Sequence, residues 1–144
     1  MKVAIKEGFP ELEVTIKCPE ATEDIRRIEA LLYGYGQRLR CVKDGAIYLI
    51  EKHDVLYFES VDKRSYLYTA EAIYETGFKL YEIEEMLSGM GFVRTAKAQI
   101  LNLAKIESLC PDFGGRIEAV LSNGEKVIVS RQYAKTLKER LGLK

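Results

Sequence analysis

Three stretches of this chain carry cations where an anion could be engaged. Between Phe92 and Ile106, the apolar residues Phe92, Ile100, Leu101, Leu103 and Ile106 are interleaved with Arg94, Lys97 and Lys105. The apolar side chains belong in a core, whereas the cations need water or an anion, so the stretch reads as a charged rim pinned to a core and suited to a polyanion. Lys63 and Arg64 follow Asp62 at a turn between two strand-like runs, and Arg131 separates a strand-like run from a helical one. On protruding elements such as these, a guanidinium fork can reach guanine O6 and N7, and an ammonium can neutralise phosphate. Each cation also has a plainer use: a charged turn that discourages edge pairing, a solvated lysine, or an arginine bound to a nearby acid. Arg94 is read differently, as the partner of an acid inside the domain, with Glu59 the named candidate.

Other chemistries are less well provided for. His53 and Asp54 are the only histidine and carboxylate side by side, but neighbours in a strand point to opposite faces, and neither a nucleophile motif nor a phosphate-binding glycine loop accompanies them. The reading is therefore not an enzyme and needs no cofactor. Cys18, Cys41 and Cys110 are widely spaced and odd in number, which points to reduced, part-buried thiols rather than to disulfides or a metal site. Tyr48, Tyr57, Tyr66 and Tyr68, among nine tyrosines, offer an alternative: an RNA-binding or protein-interaction β module with a stacking platform. Cross-strand packing is the competing use of the same rings.

The net charge is zero, yet the charges are unevenly distributed. Residues 46–91 hold 4 basic against 9 acidic side chains, and residues 92–144 hold 10 against 5. A basic C-terminal third can present a phosphate-binding face in a neutral protein, because steering follows local potential. Apolar residues make up 47% and charged residues 31%, which excludes a disordered chain. Neither a signal peptide nor an apolar run of membrane-spanning length is present, so a cytoplasmic location is expected.

The elements that must position the cations follow from periodicity. Residues 2–6 and 12–18 alternate apolar with polar side chains and predict two strands. Ile25, Ile28, Leu31 and Leu32 then predict a helix capped by Thr22 and stopped at Gly34. From Leu39 the pattern becomes a strand meander: 39–42 and 47–50 around Asp44-Gly45, 55–61 and 65–69 around the turn at 62–64, then Ile73 and Tyr74. A short helix with Phe78, Leu80, Tyr81, Ile83, Met86 and Leu87 on its apolar face precedes the Phe92 stretch. Strands at 105–110, 116–121 and 125–129 follow, with Asn123-Gly124 joining the last two, and an amphipathic helix spans 131–141.

The runs Asp54 to Val61, Leu80 to Leu87, Phe92-Val-Arg94 leading to Asn102-Leu-Ala-Lys-Ile106, and Leu121 to Arg131 resemble, in order and spacing, the LytTR family of DNA-binding domains. The resemblance covers roughly residues 39–142. It implies a mainly β fold, α+β overall: an elongated arrangement of small β-sheets with a short internal helix and a C-terminal helix. Here a β-β-α segment at 1–38 precedes that domain at 39–144. The resemblance further implies transcriptional regulation by sequence-specific binding of double-stranded DNA, with loops inserted into successive major grooves. Carried over by position, the contacts implied are Lys63, Arg64 and Ser65, then Thr95 and Lys97, then Arg131. The middle loop departs from the family pattern, with Ala96 and Ala98 where a His or Ser and a Ser are usual, which leaves phosphate contact by Lys97 and methyl packing on thymine in place of base-specific hydrogen bonds there. Paired DNA sites, a homodimer at least on DNA, and restraint by a small multi-pass membrane protein are the implied partners. No receiver domain fits in residues 1–40, so a stand-alone regulator is expected.

Overall fold

A computed structural model describes the backbone of residues 1–35 and 38–143, with side chains throughout those spans except at 30, 31 and 33–35. The chain forms α1 (Glu23–Tyr35), β1 (Arg38–Lys43), β2 (Ala46–Glu51), β3 (Val55–Val61), β4 (Arg64–Thr69), β5 (Ile73–Thr76), α2 (Leu80–Met86), β6 (Phe92–Ala96), β7 (Gln99–Asn102), β8 (Ile106–Pro111), β9 (Ile117–Leu121), β10 (Lys126–Val129) and α3 (Arg131–Arg140). The strands make two antiparallel sheets. One has seven strands in the order β2-β1-β5-β4-β3-β7-β6, larger than the small sheets expected, and the other has three in the order β10-β9-β8.

The seven-stranded sheet is buried on both faces where β3 and β7 run through it. Val55, Phe58, Leu67, Phe92 and Ile100 meet Leu80 and Ile83 of α2 and Leu87, its C-cap, on one face. Tyr57, Val93 and Leu101 meet Ile117, Ala119, Leu121, Val127 and Val129 of the smaller sheet, with Ala134 and Leu137 of α3, on the other. The continuous apolar run Val55-Leu-Tyr-Phe58 is what a strand covered on two sides requires. A bulge between Val55 and Tyr57 interrupts its register with β4. Buried Asn102 ties the start of β3 to β7: its Nδ2 donates to the Val55 carbonyl at 2.8 Å, and its Oδ1 accepts from Ala104 N at 3.1 Å.

Turn chemistry behaves as the residues dictate. Asp44-Gly45 closes the β1–β2 hairpin with φ of 50° and 78°, and Asn123-Gly124 closes β9–β10, with Asn123 Oδ1 accepting from Glu125 N at 3.1 Å. Thr22 caps α1, its Oγ1 accepting from Ile25 N at 3.5 Å. Helix α1 passes through Gly34, where a stop was expected, to Tyr35; the side chain of Leu31 lies outside the described residues.

Several expectations are corrected. Residues 1–22 form no strand, and Val3, Ile5, Leu12 and Val14 are exposed. Alternation creates a strand only where a partner satisfies the backbone and covers the apolar face, and among the described residues neither segment pairs with another strand. The buried face of α2 is narrower than its sequence pattern, because Phe78, Tyr81 and Met86 are exposed. Cys18 and Cys110 are exposed and only Cys41 is buried, where desolvation raises its pKa. Among the described residues, no helix is long and apolar enough to cross a membrane.

The two-sided core predicts a contrast. Phe58→Ala should cost about 3–5 kcal/mol in urea denaturation, whereas Phe9→Ala, at an exposed position, should stay within about 0.5 kcal/mol. Equal losses would show that the N-terminal segment is packed into the same core.

Candidate nucleic-acid interface

Strand register brings the cationic turns to one end of the large sheet. Glu59 of β3 lies opposite Gln99 of β7, so the turn leaving β3 and the turn entering β7 emerge together. Their backbones are joined there, with Ser60 N donating to the Ala98 carbonyl at 2.9 Å. Strand β5 ends at the same place, Thr76 opposite Ser65, and delivers Lys79, whose Nζ reaches the Lys63 carbonyl at 3.4 Å. The start of α3 is attached as well, through Ser130 N donating to the Thr95 carbonyl at 2.9 Å. Lys63, Arg64, Lys79, Lys97 and Arg131 are all exposed on these connected elements.

Each element holds its cation differently. Val61 pairs with Arg64, leaving a two-residue turn in which Asp62 and Lys63 both have positive φ, 50° and 66°. Neither is glycine, so this mirror-type turn carries local backbone strain while it projects Lys63. Arg64 lies 3.8 Å from Glu75, with both side chains largely in solvent, so the contact holds it weakly.

The β6–β7 turn is held from below by Arg94. Its Nε donates to the Ala96 carbonyl at 3.2 Å and its Nη2 to the Lys97 carbonyl at 2.8 Å, while Nη1 lies 3.5 Å from Glu84 of α2. The expectation of an internal acid is met, but the acid is Glu84. Glu59 is otherwise engaged, accepting from the Tyr68 hydroxyl at 2.9 Å. Burial first, then that hydrogen bond, push the Tyr68 pKa up to about 12. Arg94 therefore acts as a fork that fixes the loop carrying Lys97, a role for which Phe92-x-Arg94 was the signal.

Two expected contact residues face inward. Thr95 is fully buried at a bulge in β6, its hydroxyl donating to Gln99 Oε1 at 2.9 Å, and Ser65 is buried in β4. Both therefore lie beneath the surface that the neighbouring cations share. The alternation of β4 and the extra residue in β6 turn them toward the core.

Arg131 opens α3, where a cation opposes the helix dipole, and its guanidinium has no ion pair among the described residues. Its aliphatic stem instead runs past Gly115, where an added Cβ would meet Arg131 Cγ at 3.2 Å. Gly115 and Lys79 are two further contributors that the sequence reading missed; neither sits in a motif that marks it, and only the tertiary fold brings it here.

The competing readings lose ground. Tyr57 and Tyr68 stack on each other with centroids 4.3 Å apart, Tyr57 being buried, and Tyr48 tilts against Tyr74, so the four tyrosines do not form one open platform. His53 Nε2 lies 3.5 Å from Asp54 Oδ1, because both occupy a 3-10 turn rather than a strand, and both are exposed. No cluster of three or more His, Cys, Asp or Glu arranged for a metal occurs among the described residues.

Residues 45–142 match the family of LytTr DNA-binding domains. The sensory transduction protein LytT of Enterococcus faecalis is 38% identical over 98 residues, which are 67% of this chain and 40% of that protein. An HTH-type transcriptional regulator of Staphylococcus aureus is 32% identical over 100 residues, covering 69% of this chain and 67% of its own length. A solved LytTr DNA-binding domain from Bacillus cereus superposes with a TM-score of 0.71 at 26% identity, covering 74% of this chain and 98% of that domain.

The strained turn gives a direct check. Lys63→Gly should raise stability by about 1 kcal/mol in urea denaturation by removing the left-handed penalty at φ 66°. A loss of stability would mean that the lysine side chain contributes more to the turn than its backbone strain costs.

Proposed function

The chain belongs to the LytTR family of DNA-binding domains, and from that premise we propose that it regulates transcription by binding duplex DNA sequence-specifically through the cationic end of its large sheet. The observation that carries this reading is the convergence of Lys63, Arg64, Lys97 and Arg131 on elements bonded to one another, in a chain whose net charge is zero. Turns and a helix start that protrude together can enter successive major grooves, where base edges are distinguishable.

The cations divide the work by how they are held. Arg131 has its stem against Gly115 and a rigid strand-to-helix junction behind it, so its planar fork can be aimed at a guanine edge. Lys97 stands between two alanines and presents a mobile point charge to phosphate, at a height set by Arg94. Lys63 and Arg64 grip the backbone at the neighbouring groove, while Ser65 and Thr95 hold the turns from inside. One domain has a small footprint, so specificity comes from two copies on paired sites about one helical turn apart.

Affinity should fall steeply with salt, as expected when several phosphates are neutralised. Arg131→Ala should cost on the order of 1–3 kcal/mol on the preferred duplex and relax preference at one base pair. Lys97→Ala should weaken all duplexes alike and reduce the salt slope by about one. Selection of random duplexes followed by titration of both variants provides the test. If Arg131→Ala lowers affinity equally for preferred and scrambled duplexes, Arg131 grips phosphate and does not read a base. If no duplex is enriched over single-stranded RNA, the reading as a whole fails.

Arg94→Lys separates charge from geometry. A lysine keeps the cation but cannot span two carbonyls and a carboxylate, so DNA affinity should drop while the salt slope stays unchanged. An unchanged affinity would remove Arg94 from the positioning role.

A further inference from the structure

The turn between β8 and β9 presents a side chain that the cationic surface does not account for. Phe113 is 86% exposed, more than any other aromatic residue among those described. Single apolar side chains in water are common, so exposure alone gives Phe113 no role. Its place in the fold and the rigidity of its turn supply one.

Strand register puts this turn at the DNA-binding end. Pro111 of β8 and Val129 of β10 both lie opposite Ile117 of β9, so residues 112–116 and the β10–α3 junction leave the small sheet side by side. Gly115 backs onto the stem of Arg131, where an added Cβ would meet Cγ at 3.2 Å, and Ser130 is bonded to Thr95 of the large sheet. The turn is also fastened from within. Asp112 N donates to the Arg116 carbonyl at 2.9 Å, Arg116 Nε donates to the Phe113 carbonyl at 3.1 Å, and Arg116 Nη2 lies 3.2 Å from Asp112 Oδ2. Arg116 thereby sets a cation against the acid of the turn, which alone would repel phosphate, and steadies the backbone that carries the Phe113 ring.

An aromatic ring held in water on a braced turn, beside an arginine aimed at DNA, suits an apolar contact on the same ligand. The apolar group that a base pair offers in the major groove is the 5-methyl of thymine, and a phenylalanine can cover it. We propose that Phe113 packs on a thymine methyl in the major groove entered by the start of α3, as a further specificity-determining residue. This rests on the reading of the sheet end as the DNA-binding face and adds to it a contact made by carbon rather than by charge. Insertion between base steps is the other use of an exposed phenylalanine on DNA, but such wedges enter from the minor groove, whereas Phe113 shares its end of the small sheet with Arg131.

The test uses the full chain and the duplex enriched by selection, with each thymine in turn replaced by deoxyuridine, which pairs identically but lacks the methyl. One such replacement should lower the affinity of the parent chain about fourfold, the effect of one lost apolar carbon. Phe113→Ala should bind the thymine duplex about tenfold more weakly, bind the thymine and deoxyuridine duplexes equally at that position, and keep the salt slope of the parent, since no charge is removed. Phe113 is exposed, so thermal unfolding of the variant should match the parent chain. A parent chain indifferent to every deoxyuridine overturns the proposal while leaving duplex binding intact, and so does methyl sensitivity that persists undiminished in Phe113→Ala. Absence of binding to any duplex would instead sink the DNA-binding reading, and this contact with it.

Discussion

Burial of β3 on both faces is the constraint on which the rest of this structure depends. A strand with one solvated face is held in register by its alternation, since a one-residue slip would expose the apolar set. Val55, Leu56, Tyr57 and Phe58 offer no such discrimination, because every one of them is buried. Register comes from the ends instead: the bulge after Val55, the Asn102 amide on the Val55 carbonyl, and the two-residue turn at Asp62-Lys63. Those devices set where β3 stops, and its pairing with β7 then places Lys97 beside the same end. The cationic surface is a consequence of register before it is a matter of charge.

Electrostatics sharpen that surface by occupying the acids around it. Glu84 is drawn to Arg94, Glu75 to Arg64, and Glu59 accepts from Tyr68, which leaves Lys97 and Arg131 without ion pairs among the described residues. Arg131 also opposes the α3 dipole, a small stability cost. A protein of zero net charge can in this way hold a local field that favours a polyanion.

Much of the fold was legible because the turns announce themselves. Asp44-Gly45 and Asn123-Gly124 marked hairpins, and the strand at 55–61 and the final helix stand where their patterns put them. What misled was periodicity without a partner. Residues 2–6 and 12–18 alternate as well as any strand in the chain, yet they form none, because pairing is a property of two segments. The candidate cations stand exposed, as their sequence context suggests, and the candidate hydroxyls do not. Position in a motif put Ser65 and Thr95 at the surface, whereas strand alternation and the β6 bulge turn them inward. Arg94 was recognised as internal, but its acid was misassigned, since nothing local reveals that Tyr68 already holds Glu59. Lys79 and Gly115 depend on contacts distant in sequence and carry no local mark.

The central claim is that one end of the large sheet is the DNA-binding face. Amide chemical shifts followed by NMR during titration with the selected duplex test it most directly. The largest changes should fall at residues 62–64, 96–98 and 130–132, with the β4–β5 turn at 70–72, at the opposite end, unmoved. Largest changes at that opposite turn, or along β8, would contradict the account.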